Sequence, residues 1–331
     1  MPRSLSRFAR RRAVQVSAAL AVVCALLAWW LLPPGNPGPS GRITFSTGVP
    51  TGVYQRYGKL LREALARDLP EVKITLRDSE GSQQNLARLA SGEADFTVAT
   101  ADAVAQYQRA GMPGANRLRG LARLYDDYVQ LVVPKSSKVT SVAQLKGLRV
   151  GVGQEGSGVR LIADRVLKAG GLRPDADVVP VSAGIDTMPG LLEHGKLDAF
   201  FWSGGLPTHA VQELSERHPV RLVPLDAPLI ARMHDAGAET RYYRSAVMPA
   251  DAYPRAQEGP VETLAVTNLL VTTDLTDPAM AEGLTRTVIR SRDRIGSQVH
   301  PAQLVDLRTA IYTDPLLLHD GAREYYRSVK P

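Results

Sequence analysis

Cysteine is all but missing from this chain of 331 residues: Cys24 stands alone. A disulfide framework and a zinc site built on thiolates are therefore excluded. The six histidines, His194, His209, His218, His234, His300 and His319, show no H-E-x-x-H or other metal spacing. No G-x-x-x-x-G-K-[ST] loop occurs, no G-x-G-x-x-G follows the first strand-like run, and G-x-S-x-G is absent. A P-loop and a serine nucleophile elbow are thus unsupported. Basic charge is also scarce where it would matter. Of the formal +7, Arg3, Arg7, Arg10, Arg11 and Arg12 carry five, leaving +2 for residues 13–331. Nucleic-acid binding needs that charge on the folded part. What is present is ordinary: 44% hydrophobic and 22% charged residues fit a globular core and exclude long disorder, collagen and a polytopic membrane protein. The length suggests about two domains.

The first segment reads as an address. Residues 13–32 hold no charge and follow the arginine-rich start. Twenty helical residues span about 30 Å of hydrocarbon, and the preceding positive charge orients the remainder outward. Trp29 and Trp30 close the span, where indoles favour the membrane interface. Residues 33–41, rich in Pro and Gly, make a tether that cannot continue a helix. Three readings compete. An uncleaved anchor at 1–32 fits best, since no convincing A-x-A cleavage site stands before the proline run. A cleaved secretory signal is the second. A lipoprotein signal at Cys24 is disfavoured by Val23 and the apolar run that follows. Each places the domain outside the cytoplasm.

From Arg42 onward, strand and helix patterns alternate. Residues 43–46, 72–76, 96–99, 118–124 and 128–133 read as strands, with helices over about 53–68 and 85–90. That is the βαβαβ order of a mostly parallel sheet flanked by helices. The pattern restarts near 135. Residues 141–145 read as a short helix and 148–152 as a strand. A helix runs to about 169, with Val159, Ile162, Ala163, Val166 and Leu167 on one face. Strands at 178–181, 197–201 and 220–223 follow, with helices near 187–193 and 206–216. Residues 234–262 read as irregular, 263–272 as a strand, and the end as mostly helical. Two similar α/β halves imply a two-lobed clamp. Lobe 1 would hold 42–132 and 264–331, lobe 2 would hold 133–263, and the strands at 128–133 and 263–272 would cross between them.

Four strand ends lead into turns rich in Gly, Ser and Thr: residues 46–54, 80–85, 153–158 and 201–205. Ligands of open α/β sheets bind beyond the carboxyl ends of strands. A Gly-Ser turn that opens a helix offers free N–H groups and a positive dipole end to an anion. Any one of them can equally be a plain helix cap, as Ser82 and Ser157 illustrate; the recurrence in both halves is the signal.

Several blocks in order, among them STGVPTGVYQRYGKLL, DSEGSQQNLARLASGEADFTVATADAV, LYDDYVQLVVPKSSKVTSVAQLKGLRVGVGQEGSG and AGIDTMPGLLEHGKLDAFFWSGGLPT, resemble the TAXI family of NMT1-like solute-binding proteins. These serve one class of TRAP transporter. The resemblance covers about residues 42–328. It implies a type II periplasmic-binding-protein fold, a TRAP membrane permease as partner and a small organic anion as ligand, with glutamate or a dicarboxylate the best-known case. It further implies that Thr47, Gly48, Val49, Gly52, Tyr54, Gly81, Ser82, Asn85, Thr100 and Asp102 line the ligand cleft from the first lobe. Gly156, Ser157, Gly158, Val159, Trp202, Ser203 and Gly204 would line it from the second. Val49-Pro50, Thr100 and Trp202 depart from the family pattern, which bears on the solute rather than the fold.

Each side chain also has a plainer role open to it. Tyr54 and Trp202 can pack within their lobes, and Asp102 reads more readily as a cap of the following helix than as a ligand contact. Asn85 shares a helix face with Ser82. The expectation is a monomeric, membrane-tethered receptor without cofactor, metal, catalytic residue or nucleic-acid partner. A ligand sensor signalling to a partner protein with the same clamp is the alternative; an extracytoplasmic enzyme is disfavoured for want of a nucleophile–base pair.

Overall fold

The computed structural model describes residues 22–23 and 38–329. Almost all of the expected anchor at 13–32, and residues 33–37 of its tether, lie outside the described residues. Among the described residues no helix is long and apolar enough to cross a membrane.

One mixed sheet organises the chain. Its first part is parallel: β1 (Gly41–Ser46) lies between β2 (Val72–Arg77) and β3 (Phe96–Thr100). Two long strands follow in space, β10 (Val261–Thr273) beside β3 and β4 (Leu118–Pro134) beside β10, both joined antiparallel. Beyond them lies a second parallel set, β7 (Ala199–Gly204), β5 (Arg149–Gly151) and β6 (Val179–Val181). The long strands change partners midway. β10 pairs with β3 at its Asn268–Val271 end and with β9 (Tyr243–Met248) at its start. β4 leaves β10 after Tyr128 for β7 and β8 (Val220–Val223).

Helices cover the sheet as their apolar spacing dictates. α1 (Val53–Asp68) buries Tyr57, Leu61, Ala64 and Leu65, one stripe at helical period. α2 (Ser82–Ser91) and α3 (Ala101–Arg109) follow β2 and β3. α4 (Gly158–Ala169) buries Val159, Ile162, Ala163, Val166 and Leu167, and its start is capped where Ser157 Oγ accepts from the Arg160 N–H at 3.1 Å. α5 (Met188–Glu193), α6 (His209–Arg217) and α7 (Ala227–Ala236) complete the second half. α8 (Pro278–Gly296) and α9 (Asp320–Val329) return to the first.

The apolar clusters divide along the chain. Those of the first half use β4 up to Tyr125 and β10 from Leu269 onward. Those of the second use β4 from Val129 and β10 up to Val266. Between them lie Asp126, Asp127 and Tyr128 on β4, and Thr267 and Asn268 on β10, where the ladder slips in register. This polar seam falls a few residues from the boundaries expected at 132/133 and 263/264.

Three expectations fail. Residues 118–124 and 128–133 are one strand, because the backbone of Asp126 and Asp127 continues the ladder against Thr267 and Val266. α3 was not anticipated. The supposedly irregular 234–262 contains β9, which pairs with β10 while exposing Arg244 and Ser245.

Candidate functional site

The seam and the strand ends on either side of it line a small, half-open pocket. It leaves about 60 Å³ for the centres of water-sized spheres. Four helices begin at its wall, with Gly52, Gly81, Thr100 and Ser157 as the caps of α1, α2, α3 and α4. Their first N–H groups lack intrahelical partners and carry the positive end of the helix dipole.

Glycine makes two of these turns possible. Gly81 has φ +129°, and a Cβ there would lie 3.5 Å from the Gly158 nitrogen and from Ser157 Cα. Gly153 has φ +84°, and a Cβ would come within 2.8 Å of Val159 Cβ. Both conformations strain any side chain. The second and third turns also bond to each other: Gln83 Nε2 donates to the Ser157 carbonyl at 2.8 Å, and the Gln84 N–H to the Gly156 carbonyl at 3.1 Å.

Of the residues expected at the site, Gly48, Val49, Gly52, Tyr54, Gly81, Ser82 and Thr100 line the cavity from the first half. Ser157, Gly158, Val159, Trp202, Ser203 and Gly204 line it from the second. Tyr54 donates its hydroxyl to Asn268 Oδ1 and lies 3.2 Å from Ser82 Oγ. Ser82 Oγ in turn accepts from the Thr100 N–H at 3.2 Å. Burial pushes the Tyr54 phenol well up, so it remains a neutral donor. Trp202 Nε1 and Ser203 Oγ have no hydrogen-bond partner.

Four expected residues stand elsewhere. Thr47 and Asn85 are fully buried behind the wall. Asn85 Nδ2 donates to the Thr47 carbonyl at 2.7 Å and the Val98 carbonyl at 3.0 Å, and its Oδ1 accepts from Ser46 Oγ at 2.7 Å. It ties β1, β3 and α2 together. Asp102 neither caps α3 nor reaches the cavity; its Oδ2 accepts from Arg165 Nη1 at 3.0 Å and from the Tyr243 hydroxyl at 2.7 Å. Gly156, at φ +81°, shapes the turn and presents its carbonyl to α2.

The cavity also takes in Val53, Glu80, Gly153 and Gln154, which lie in the expected turns without being named as lining residues, and Asp127, Ala183 and Gly184, which were not expected at the site. Two signals pointed there. Gly151, Gly153 and Gly156, at the end of β5 and beyond it, stand at G-x-G-x-x-G spacing, and Asp127 is one of two adjacent carboxyls in the middle of β4. Asp127 is 4% exposed. Burial pushes its carboxyl up to about 7, and Oδ1 has no partner. Among the described residues no Lys, Arg or His lines the cavity. Among the described residues no cluster of three His, Cys, Asp or Glu is placed to hold a metal ion. The arrangement suits reversible capture of a small polar molecule.

A family model described as the NMT1-like family matches residues 45–329. Among solved structures, the chain is similar to a putative L-cystine ABC transporter protein from Listeria monocytogenes, with 13% identity and TM-score 0.50 over 80% of this chain and 98% of the other. It is similar to an ancestral arginine-binding protein bound to arginine, with 16% identity and TM-score 0.50 over 78% and 98%. It is also similar to XAC2383 from Xanthomonas citri bound to ATP, with 12% identity and TM-score 0.51 over 88% and 100%. At such identities the likeness concerns the fold, an α/β architecture of the kind found in periplasmic solute-binding proteins.

Proposed function

Because the chain belongs to the NMT1-like family, we propose that it is the extracytoplasmic solute-binding subunit of a transporter, of the TAXI type that serves TRAP permeases. It captures a small carboxylate-bearing solute, a glutamate-like amino acid or a dicarboxylate, and hands it on unchanged. The two halves are the lobes of a clamp, and the seam at Asp126–Tyr128 and Thr267–Asn268 is where they flex. The N-terminal segment anchors the receptor to the outer face of the cytoplasmic membrane.

The observation that carries this reading is the convergence of four helix starts on one half-open pocket between the halves. Helix N-termini stabilise a carboxylate without any lysine or arginine. A solute touching both halves favours the closed form by its differential affinity, and small polar groups set the selectivity.

The test is calorimetry and thermal-shift screening of the purified full-length protein against amino acids and dicarboxylates. Saturable binding with a raised melting temperature is expected. A panel in which no compound stabilises the protein would overturn the proposal.

A further inference from the structure

Asp127 has a surrounding unlike that of the carboxylates beside it. Asp126, the next residue on β4, is held by Arg123 at 3.0 Å and by Arg244. Asp102, at the start of α3, is held by Arg165 at 3.0 Å and by the Tyr243 hydroxyl. Asp127 has no cation within 4.0 Å among the described residues, although it is almost wholly buried and borders the cavity. Its remaining titratable neighbours are the phenols of Tyr54 and Tyr125, both pushed up by burial and therefore neutral. The Asn268 amide faces it and, directed toward the carboxylate, offsets part of the burial, though its Nδ2 has no acceptor within hydrogen-bond distance among the described residues. The cavity's second acid, Glu80, likewise has an unpartnered Oε2.

The cavity is thus bipolar. Helix starts give it the positive ends of four dipoles, while among the described residues its acids lack counter-ions. A buried carboxylate without a partner is unfavourable, and an opposite charge removes the penalty. A solute with only negative groups would satisfy the helix starts and leave Asp127 worse off. We propose that the solute is a zwitterion, an α-amino acid whose carboxylate faces the helix starts at Ser82 and Ser157 and whose ammonium is received by Asp127. This rests on the solute-receptor reading and excludes dicarboxylates from it. An arriving ammonium draws the proton off Asp127, so binding below neutrality releases protons. Asp126 and Asp102 keep their arginines.

The test uses the full-length protein in calorimetry at pH 7.5 with matched pairs: L-leucine and 4-methylpentanoate, L-alanine and propionate, L-glutamate and glutarate. At least one amino acid binds ten-fold or more tightly than its partner lacking the amine. Asp127→Asn, near-isosteric, weakens that amino acid at least ten-fold and narrows the gap. At pH 6.5, in two buffers of different ionisation heat, the native protein releases a fraction of a proton on binding and the variant none; if the variant fails to fold, this measurement on the native chain decides. Equal binding of an amino acid and its amine-free partner, an unchanged gap in Asp127→Asn, or no proton release overturns the inference while the receptor reading stands. Silence across the whole panel overturns both.

Discussion

The two walls of the cavity are built differently. On the first-half side, Tyr54, Ser82, Thr100 and Asn268 bond to one another, and Asn85 braces the strands behind them. On the second-half side, Trp202 and Ser203 line the cavity, and Trp202 Nε1 and Ser203 Oγ have no hydrogen-bond partner among the described residues. Unpaired buried polar groups are costly and uncommon. One wall is therefore stiffened by its own network, while the other holds two polar side-chain atoms outside any network. Recognition needs both, a fixed surface to position the guest and an unsatisfied one to reward it.

The largest effect that would test this contrast concerns Asp127, which lies between the walls. Its carboxyl titrates at about 7 in the folded protein and at about 3.9 when unfolded. Between those values the folded state holds the extra proton, so its stability falls as pH rises from about 4 to about 7. Relative to Asp127→Asn, the native protein should lose up to about 4 kcal/mol across that window. Urea unfolding of both at four pH values checks it, and parallel stability curves would refute it. Next, Asn85→Ala should cost about 3 kcal/mol, because three buried groups lose their partner. A drop below 1 kcal/mol in the same assay would mean that the first wall is not held by its network.

The second wall should respond in the opposite way. Ser203→Ala and Trp202→Phe together should leave the free protein's stability within about 0.5 kcal/mol, yet weaken solute binding about ten-fold, or ~1.4 kcal/mol. Calorimetry and melting on one preparation separate these; a large stability loss with unchanged affinity would reverse the comparison. The smallest effect belongs to Ser157→Ala, which removes the cap of α4 and should cost about 1 kcal/mol, read as a lower melting temperature of the free protein.

Much of this architecture was legible. The stripe of Tyr57, Leu61, Ala64 and Leu65 announces α1, and the Gly-Ser turns mark where helices start beside the cavity. What escaped did so for physical reasons. β4 runs through two aspartates because ladder hydrogen bonds belong to the backbone and are indifferent to the side chain. α3 is short and alanine-rich, so its periodicity is faint. β9 exposes Arg244 and Ser245 and hides as a loop. The family resemblance assigns Thr47, Asn85 and Asp102 to the cavity, and a polar residue near a strand end looks the same in sequence whether it serves a guest or its own fold. Their buried bonds to backbone, Arg165 and Tyr243 decide the matter only in three dimensions.

The division of the apolar clusters also bears on synthesis. The second half's cluster draws on a continuous run from Val129 to Val266, so every partner it needs has been translated by then. The first half is different: Ile43, Phe45 and Tyr57 pack with residues as distant as Tyr326. On an emerging polypeptide, the earliest-made segment therefore waits longest for its neighbours, with greasy side chains bare in the meantime.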